Sequence, residues 1–152
     1  MLVVTGSSQG IGRALVDALL AANERVVATL RRPEQLASYS EKYPSSQLLI
    51  LPLDVTSVAQ IDDAFAKVKT HFGRLDVVVN NAGYGFVAEI EIMPEDEARH
   101  CFETCFWGPY HIVQRVRLLI GLRNLFLSLI GSLTGDPIHA GRQSGRCRWP
   151  IP

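Results

Sequence analysis

The chain alternates short apolar runs with longer stretches in which apolar side chains recur every three or four residues. The short runs predict buried strands over residues 2–5, 25–30, 47–53, 75–80 and 125–130. The periodic stretches predict helices over residues 11–22, 33–42, 58–71 and 94–118. Strands that alternate with helices are typical of a parallel sheet with helices on both faces. The pattern therefore predicts an α/β fold with a doubly wound, Rossmann-like parallel sheet of about five strands.

Residues with special backbone or capping preferences mark the ends of these elements. Asn23 and Gly73 each follow a periodic stretch, as expected of residues that end helices. Ser57 and Gln60 have the spacing of a capping box, in which each side chain bonds the other residue's backbone N–H. The dipeptide Gly108-Pro109 predicts a kink within the last helix.

The periodic pattern stops at Gly135, and glycine, proline and arginine are frequent in the residues that follow. A chain of 152 residues has the length of a single domain. We therefore predict one domain over residues 1–135 and an irregular, disordered tail over residues 136–152.

The charge balance argues against partners that need a strong electrostatic field. The 15 Lys and Arg residues equal the 15 Asp and Glu residues, so neither nucleic acid nor a membrane surface is an expected partner. The longest apolar stretch, residues 116–130, is interrupted by Arg117, Arg123 and Asn124. It falls short of the roughly 20 apolar residues that cross a bilayer, so no membrane crossing is predicted.

The cysteines predict neither a disulfide scaffold nor a metal site. Cys101, Cys105 and Cys147 are odd in number and lack a paired ligand spacing. His100 stands beside Cys101, but no matching ligand cluster occurs elsewhere in the sequence. No charged leader precedes the first apolar strand, and together these features favour a reducing, cytoplasmic location.

A glycine-rich turn joins the first predicted strand to the first predicted helix. Its sequence over residues 5–12 is TGSSQGIG. Gly6 permits a tight turn, Gly10 lets the backbone approach a pyrophosphate, and Gly12 lets the helix pack on the strand. The backbone N–H groups in the first turn of the helix, around Ile11, have no partner within the helix and can bind the anion. The turn therefore predicts dinucleotide binding, and the alternative is a tight strand-to-helix turn without a ligand.

The end of the second strand predicts which dinucleotide binds. An acidic residue there would bind the ribose 2′-hydroxyl of NAD and repel a 2′-phosphate. Instead the sequence has Arg31 and Arg32, whose planar guanidinium groups suit a phosphate. We therefore predict NADP(H), with an exposed basic loop as the alternative interpretation.

Three ordered motifs together resemble the short-chain dehydrogenase/reductase family over residues 1–135. They are the Gly-x-x-x-Gly-x-Gly spacing of Gly6, Gly10 and Gly12, the stretch Leu53-Asp54-Val55, and the stretch Asn80-Asn81-Ala82-Gly83. The resemblance implies that Asp54 and Val55 contact adenine, that Asn81, Ala82 and Gly83 line the cofactor site, and that Ser7 or Ser8 donates to the 2′-phosphate. It also implies NADP-dependent hydride transfer to or from a small carbonyl or alcohol.

The resemblance does not extend to the whole catalytic set of that family, which consists of Asn, Ser, Tyr and Lys. Ser132 matches the serine, and Cys105 stands at the asparagine position. Gly145 and Trp149 stand at the tyrosine and lysine positions, and no Tyr-x-x-x-Lys occurs in the sequence. Ser132 is therefore the one catalytic candidate, unless it is only a serine at a strand end.

Three interpretations of the function stay open at this point. The chain is an impaired oxidoreductase, a non-catalytic NADP-binding module, or a product whose tail comes from a shifted frame or altered splicing. The resemblance also implies two more strands beyond the fifth, so the sheet is expected to be incomplete on its C-terminal side. An apolar edge at residues 125–130 and an uncovered helix from Pro94 then predict self-association.

Overall fold

The computed structural model of the chain describes residues 1–85, 87–120 and 125–128. For residues 117–120 and 125–128 it describes the backbone alone. The strands are β1 (Leu2–Thr5), β2 (Val26–Leu30), β3 (Leu48–Pro52), β4 (Val77–Asn80) and β5 (Leu125–Ser128). The helices are α1 (Gly10–Ala21), α2 (Ala37–Lys42), α3 (Val58–Phe72), α4 (Glu95–Phe102) and α5 (Gly108–Ile120).

The five strands form one parallel sheet in the order β3-β2-β1-β4-β5. The chain first builds outward from β1 to β3 and then crosses back to add β4 and β5 on the other side of β1. This reversal places the topological switch point between β1 and β4, where doubly wound sheets bind their ligands. The predicted fold class is therefore confirmed.

Each face of the sheet packs against its own hydrophobic cluster. Val3 and Val78 face one cluster, together with Phe65 of α3 and Ile112 of α5. Neighbouring residues of the same strands, such as Val4, face the other cluster, which includes Val16 of α1. Because both faces are covered, the strands are apolar at consecutive positions, which explains the unbroken apolar runs in the sequence.

Two of the predicted helix ends are confirmed in detail. Asn23 has a φ of 59° after α1, and the N–H groups of Asn23 and Glu24 donate to the carbonyls of Leu20 and Leu19 in a Schellman arrangement. Gly73 has a φ of 68° after α3, and its N–H donates to the Lys69 carbonyl. Both residues end their helices in the left-handed conformation that asparagine and glycine tolerate.

The predicted capping box forms only in part. The N–H of Gln60 donates to the Ser57 hydroxyl at 3.4 Å, as expected. The Gln60 side chain, however, accepts a hydrogen bond from the backbone N–H of Asp54 at 2.8 Å. The start of α3 is therefore tied to the loop that follows β3.

The helix predicted over residues 33–42 is divided in the structure. Residues Pro33–Leu36 form a 3-10 turn, and α2 begins only at Ala37. Leu36 has a φ of −113° and a ψ of 16°, which interrupts the helical backbone, while its side chain is fully buried. The helix is thus interrupted at a residue whose side chain is buried in the core. The spacing of apolar residues in the sequence does not predict this interruption.

The helix predicted over residues 94–118 is interrupted in the turn before Gly108. Residues Glu103–Trp107 form a π-turn between α4 and α5, and the Gly108 N–H donates to the Glu103 carbonyl. Pro109 has no N–H to donate to the carbonyl of Cys105, so the regular helical ladder cannot continue through this turn. A Cβ on Gly108 would lie 2.9 Å from Cγ2 of Val55, so the glycine also lets α5 approach the loop after β3.

Some sequence predictions lie outside the described residues. These are Ser132, the last two residues of the strand predicted over 125–130, and the tail predicted over residues 136–152. In the part of the chain that the structure describes, no helix is both long enough and apolar enough to cross a membrane.

Candidate cofactor-binding site

A cleft of about 400 Å³ opens at the carboxyl ends of the central strands. Four segments predicted from the sequence line it: the turn after β1, Arg31 at the end of β2, residues 53–55 after β3, and residues 81–83 after β4. The parallel direction of the strands brings these segments to one edge of the sheet. The structure therefore brings together segments that are far apart in the sequence.

A buried hydrogen-bond network, which we call the Thr5–Asn81 clamp, holds two of these segments together. The Thr5 hydroxyl oxygen accepts from the backbone N–H groups of Asn81 at 3.0 Å and Ala82 at 2.9 Å. In return, the Asn81 side-chain amide donates to the carbonyls of Thr5 at 2.8 Å and Gly6 at 3.1 Å. The clamp fixes the turn after β1 against the loop after β4.

Glycine is required where these two segments meet. Gly6 has a φ of +68°, and a Cβ on it would lie 2.8 Å from the backbone Cα of Ala82. A Cβ on Gly12 would collide with the Gly6 carbonyl oxygen and with the Asn81 amide. Gly10 has a φ of 59° at the first residue of α1. The glycines therefore permit both the shape of the turn and the close approach of α1.

The two serines of the turn have different surroundings. Ser7 is fully buried, its hydroxyl donates to the Val4 carbonyl at 2.8 Å, and its N–H donates to the Thr29 carbonyl at 3.0 Å. Ser8 instead lines the cleft, next to Gln9. Ser7 thus ties the turn to β1 and β2, and Ser8 is the serine that a ligand in the cleft meets.

Some predicted binding residues do not line the cleft themselves. Gly10, Gly12 and Ile11 lie in the first turn of α1, and the Ile11 side chain is 53% exposed. Arg31 lines the cleft, whereas Arg32 is exposed at the start of the 3-10 turn and does not. The structure therefore separates the two arginines that the sequence groups together.

Asp54 is anionic at neutral pH in this cleft. Burial alone would raise the pKa of its carboxyl, but the N–H and the hydroxyl of Thr56 donate to it at 3.0 and 2.7 Å. The charges of Arg31 and His100 add to these hydrogen bonds, and the net effect lowers the pKa of Asp54 below its ordinary value. A lowered pKa means that this stabilisation is present at neutral pH and is lost as the pH falls through the folded-state pKa.

One wall of the cleft was missed in the sequence analysis. Glu97, His100 and Thr104 line it from α4 and the π-turn, and Tyr84 lines it from the loop after β4. The ring centroids of Tyr84 and His100 lie 6.1 Å apart. The spacing of the three residues, which places them on one face of a helix, is a signal that could have identified this wall. Within the described residues, no group of His, Cys, Asp or Glu is arranged to hold a metal ion.

The close approach at Gly12 gives a direct test of this geometry. We expect Gly12→Ala to lower the free energy of unfolding by about 1–3 kcal/mol, because the added methyl group meets backbone atoms that cannot move aside easily. Urea denaturation measures the change. The control is Gly73→Asn, at a site where a Cβ meets nothing within 4 Å and where asparagine tolerates the positive φ. A Gly12→Ala protein as stable as the wild type would contradict the packing described here.

The short chain dehydrogenase family profile matches residues 1–121 of the chain. Among individual proteins, an uncharacterized oxidoreductase of Schizosaccharomyces pombe is 40% identical over 113 residues, which cover 74% of this chain and 37% of the relative. The NAD(+) 15-hydroxyprostaglandin dehydrogenase of Homo sapiens is 42% identical over 85 residues, which cover 53% of this chain and 32% of the relative.

Solved structures also show similarity to this family. The NADPH-bound carbonyl reductase from chicken fatty liver superimposes with a TM-score of 0.72 at 30% sequence identity, covering 78% of this chain and 50% of that one. The chain spans 37% to 55% of the length of the first curated relatives that it matches. The family profile, the shared fold and the three motifs at the strand ends agree: the chain belongs to the short chain dehydrogenase family.

Proposed function

We propose that the cleft binds NADP(H) and that the chain serves an oxidoreductase that acts on a small carbonyl or alcohol. The observation that carries the proposal is Arg31, which lines the cleft at the end of β2, where a NAD-specific site would have an acidic residue. When bound, the nicotinamide would donate or accept a hydride. The similar proteins include an NAD(+) dehydrogenase and an NADPH-bound reductase. The residue at the end of β2 therefore decides between NAD and NADP(H) in this proposal.

Each part of such a cofactor meets a suitable group in the cleft. Gly6, Ser8 and Gln9 line the cleft, and α1 begins directly after them, so the N–H groups of its first turn suit the pyrophosphate at this end of the cleft. Arg31 and Ser8 offer donors to the 2′-phosphate, and Asp54 and Val55 line the cleft where the family resemblance puts the adenine. Residues 81–83, fixed by the Thr5–Asn81 clamp, form the wall beside the adenosine half.

We expect Arg31→Ala to weaken NADPH binding about 10- to 100-fold and to leave NADH binding nearly unchanged. A hydrogen bond to a charged group contributes about 1.5–3 kcal/mol, which corresponds to a change of this size in the dissociation constant. Fluorescence titration with both dinucleotides, at one fixed ionic strength, measures the affinities.

Arg32→Ala is the matched control, because it removes the same charge one residue further along but outside the cleft. Its effect on NADPH binding should be several times smaller than that of Arg31→Ala. Equal affinity of the wild type for NADPH and NADH, or equal effects of the two substitutions, would contradict the assignment of Arg31.

A second candidate function, a cofactor-binding module without catalysis, is favoured by the sequence of this chain. No Tyr-x-x-x-Lys occurs in the 152 residues, and Cys105 stands where the family resemblance places an asparagine. A general acid or base contributes about 10²- to 10⁴-fold to a rate, so its loss leaves little activity. We therefore propose that this chain by itself binds the cofactor and that its catalysis is impaired.

The expected result is that NADPH oxidation by this chain stays at background with a panel of ketones and aldehydes. The assay monitors NADPH absorbance, and an intact carbonyl reductase is the positive control. Sustained turnover that disappears in Ser132→Ala would contradict the proposal and would assign Ser132 the catalytic role that the sequence suggests.

We also propose that the chain self-associates through the helical segment that follows Pro94, and that its partner is a second copy. Phe102, Phe106, Trp107, Tyr110 and Val113 expose apolar surface along α4, the π-turn and α5. Arg99, which pairs with Glu95 of its own helix, and Glu103 lie beside Phe102 and Trp107, so the apolar surface has the charged rim that is typical of an interface. We also propose the reducing cytoplasm as the location of the protein, and the free thiols of Cys101 and Cys105 are compatible with it.

We expect Phe106→Glu to reduce the sedimentation coefficient, because it places a charge in the apolar contact. Val87→Glu is the control, since Val87 is 95% exposed but lies outside this surface. Sedimentation velocity at micromolar protein concentration measures both variants and the wild type. A wild-type chain that sediments as a monomer would exclude self-association through this surface and through the edge at β5.

A further inference from the structure

Two thiol groups converge on one backbone carbonyl behind the wall of the cleft. Cys101 lies in α4 and Cys105 lies four residues later in the π-turn, so their side chains share one face of the helical segment. Their Sγ atoms lie 3.6 and 3.5 Å from the carbonyl oxygen of Tyr84. Both are unoxidised and half-buried.

The helical spacing of this pair disfavours a disulfide. Side chains four residues apart on a helix have Cβ atoms about 5–6 Å apart, whereas a disulfide requires about 3.5–4.5 Å. Burial, followed by the neighbouring Cys105, raises the pKa of the Cys101 thiol. Because the thiolate is the form that attacks peroxides, a protonated thiol at neutral pH reacts slowly with them. A single atom that bridges the two sulfurs avoids the first obstacle, because the sulfurs then need not come within bonding distance of each other.

We propose that Cys101 and Cys105 form a chelating site for trivalent arsenicals. In the reaction with an arylarsine oxide, two As–S bonds form while the arsenic–oxygen bond breaks. The two thiol protons leave with the oxygen as water, and arsenic remains trivalent throughout. The reaction needs no oxidant or reductant, and it needs only the two soft sulfur ligands that this pair supplies.

The site borders the cofactor cleft directly. The Cys105 Sγ lies 3.3 Å from the position that a Cβ on Gly83 would occupy, and both thiols contact the Tyr84 carbonyl. Gly83 and Tyr84 line the cleft on their other side. A bridging arsenic atom needs space between the sulfurs and this loop, so it displaces the loop. If the proposed function is correct, the adduct therefore weakens cofactor binding.

The adduct itself is tested without reference to the cofactor. The chain and its Cys147→Ser variant are treated with one equivalent of phenylarsine oxide, washed with glutathione and examined by intact-mass spectrometry. We expect one phenylarsenic group, bound with loss of two hydrogens, in both proteins. It should resist the monothiol wash but be removed by dithiothreitol, because a dithiol forms a competing chelate.

Single substitutions locate the site. Cys101→Ser and Cys105→Ser, each in the Cys147→Ser background, should lose the wash-resistant adduct while retaining the wild-type circular dichroism spectrum. A wash-resistant adduct in either variant would overturn the proposal. Its absence in Cys147→Ser would overturn it as well, because it would show that Cys147 is one of the ligands.

A titration with NADPH tests the connection to the cleft. We expect the arsenical to weaken NADPH binding about tenfold or more in the Cys147→Ser protein, an effect comparable to the loss of one charge-assisted hydrogen bond. Unchanged affinity in the adduct would overturn the connection. Failure of the untreated chain to bind NADPH would overturn the proposed function, while the mass measurement would still decide whether the thiol site exists.

Discussion

The site depends on one interaction, the pairing of Thr5 with Asn81 across the switch point of the sheet. Strands β1 and β4 lie side by side, and their backbone ladder ends at the pair Val4 and Val79. The Thr5 hydroxyl and the Asn81 amide supply the missing hydrogen bonds. Removing the Thr5 hydroxyl would leave two N–H groups of this loop without their partner, each at a cost of about 1–3 kcal/mol when buried.

The close contact that this clamp enforces explains the glycines. With Asn81 held against the carbonyls of Thr5 and Gly6, no room remains for a side chain on Gly6 or Gly12. In this arrangement Gly6, Ser8 and Gln9 of the turn line the cleft. The anion site that we propose next to Arg31 would then be preformed, so that binding requires little rearrangement of the protein.

Much of the fold follows from the sequence because its causes are local. Strands covered on both faces are apolar at most positions, and Asn23, Ser57 and Gly73 satisfy helix ends by short-range hydrogen bonds. The departures have non-local causes. The Gln60 side chain bonds the loop at Asp54 rather than the Ser57 N–H, and the break in the helix at Leu36 coincides with burial of its side chain. Neither contact can be deduced from residue spacing alone.

The site shows the same division between local and non-local causes. The motifs identified Gly6, Asp54 and Asn81 because each lies at a strand end, and the fold brings strand ends together. Ser7 and Ser8 have different surroundings because Ser7 bonds Thr29 of β2, which lies beside the turn. The sequence around the two serines does not show this contact. The wall formed by His100 and Thr104 depends on how α4 packs across the cleft.

The most direct test of the account is a map of backbone amide chemical shifts in the ¹⁵N-labelled chain as NADPH is added. If the clamp makes one binding unit of the two segments, amides of residues 6–12 and residues 81–83 should shift together with a single dissociation constant. In Thr5→Val, which keeps the shape of the side chain and removes the hydroxyl, both sets of shifts should weaken together. Shifts confined to one segment, or equally strong shifts in Thr5→Val, would contradict the central role of the clamp.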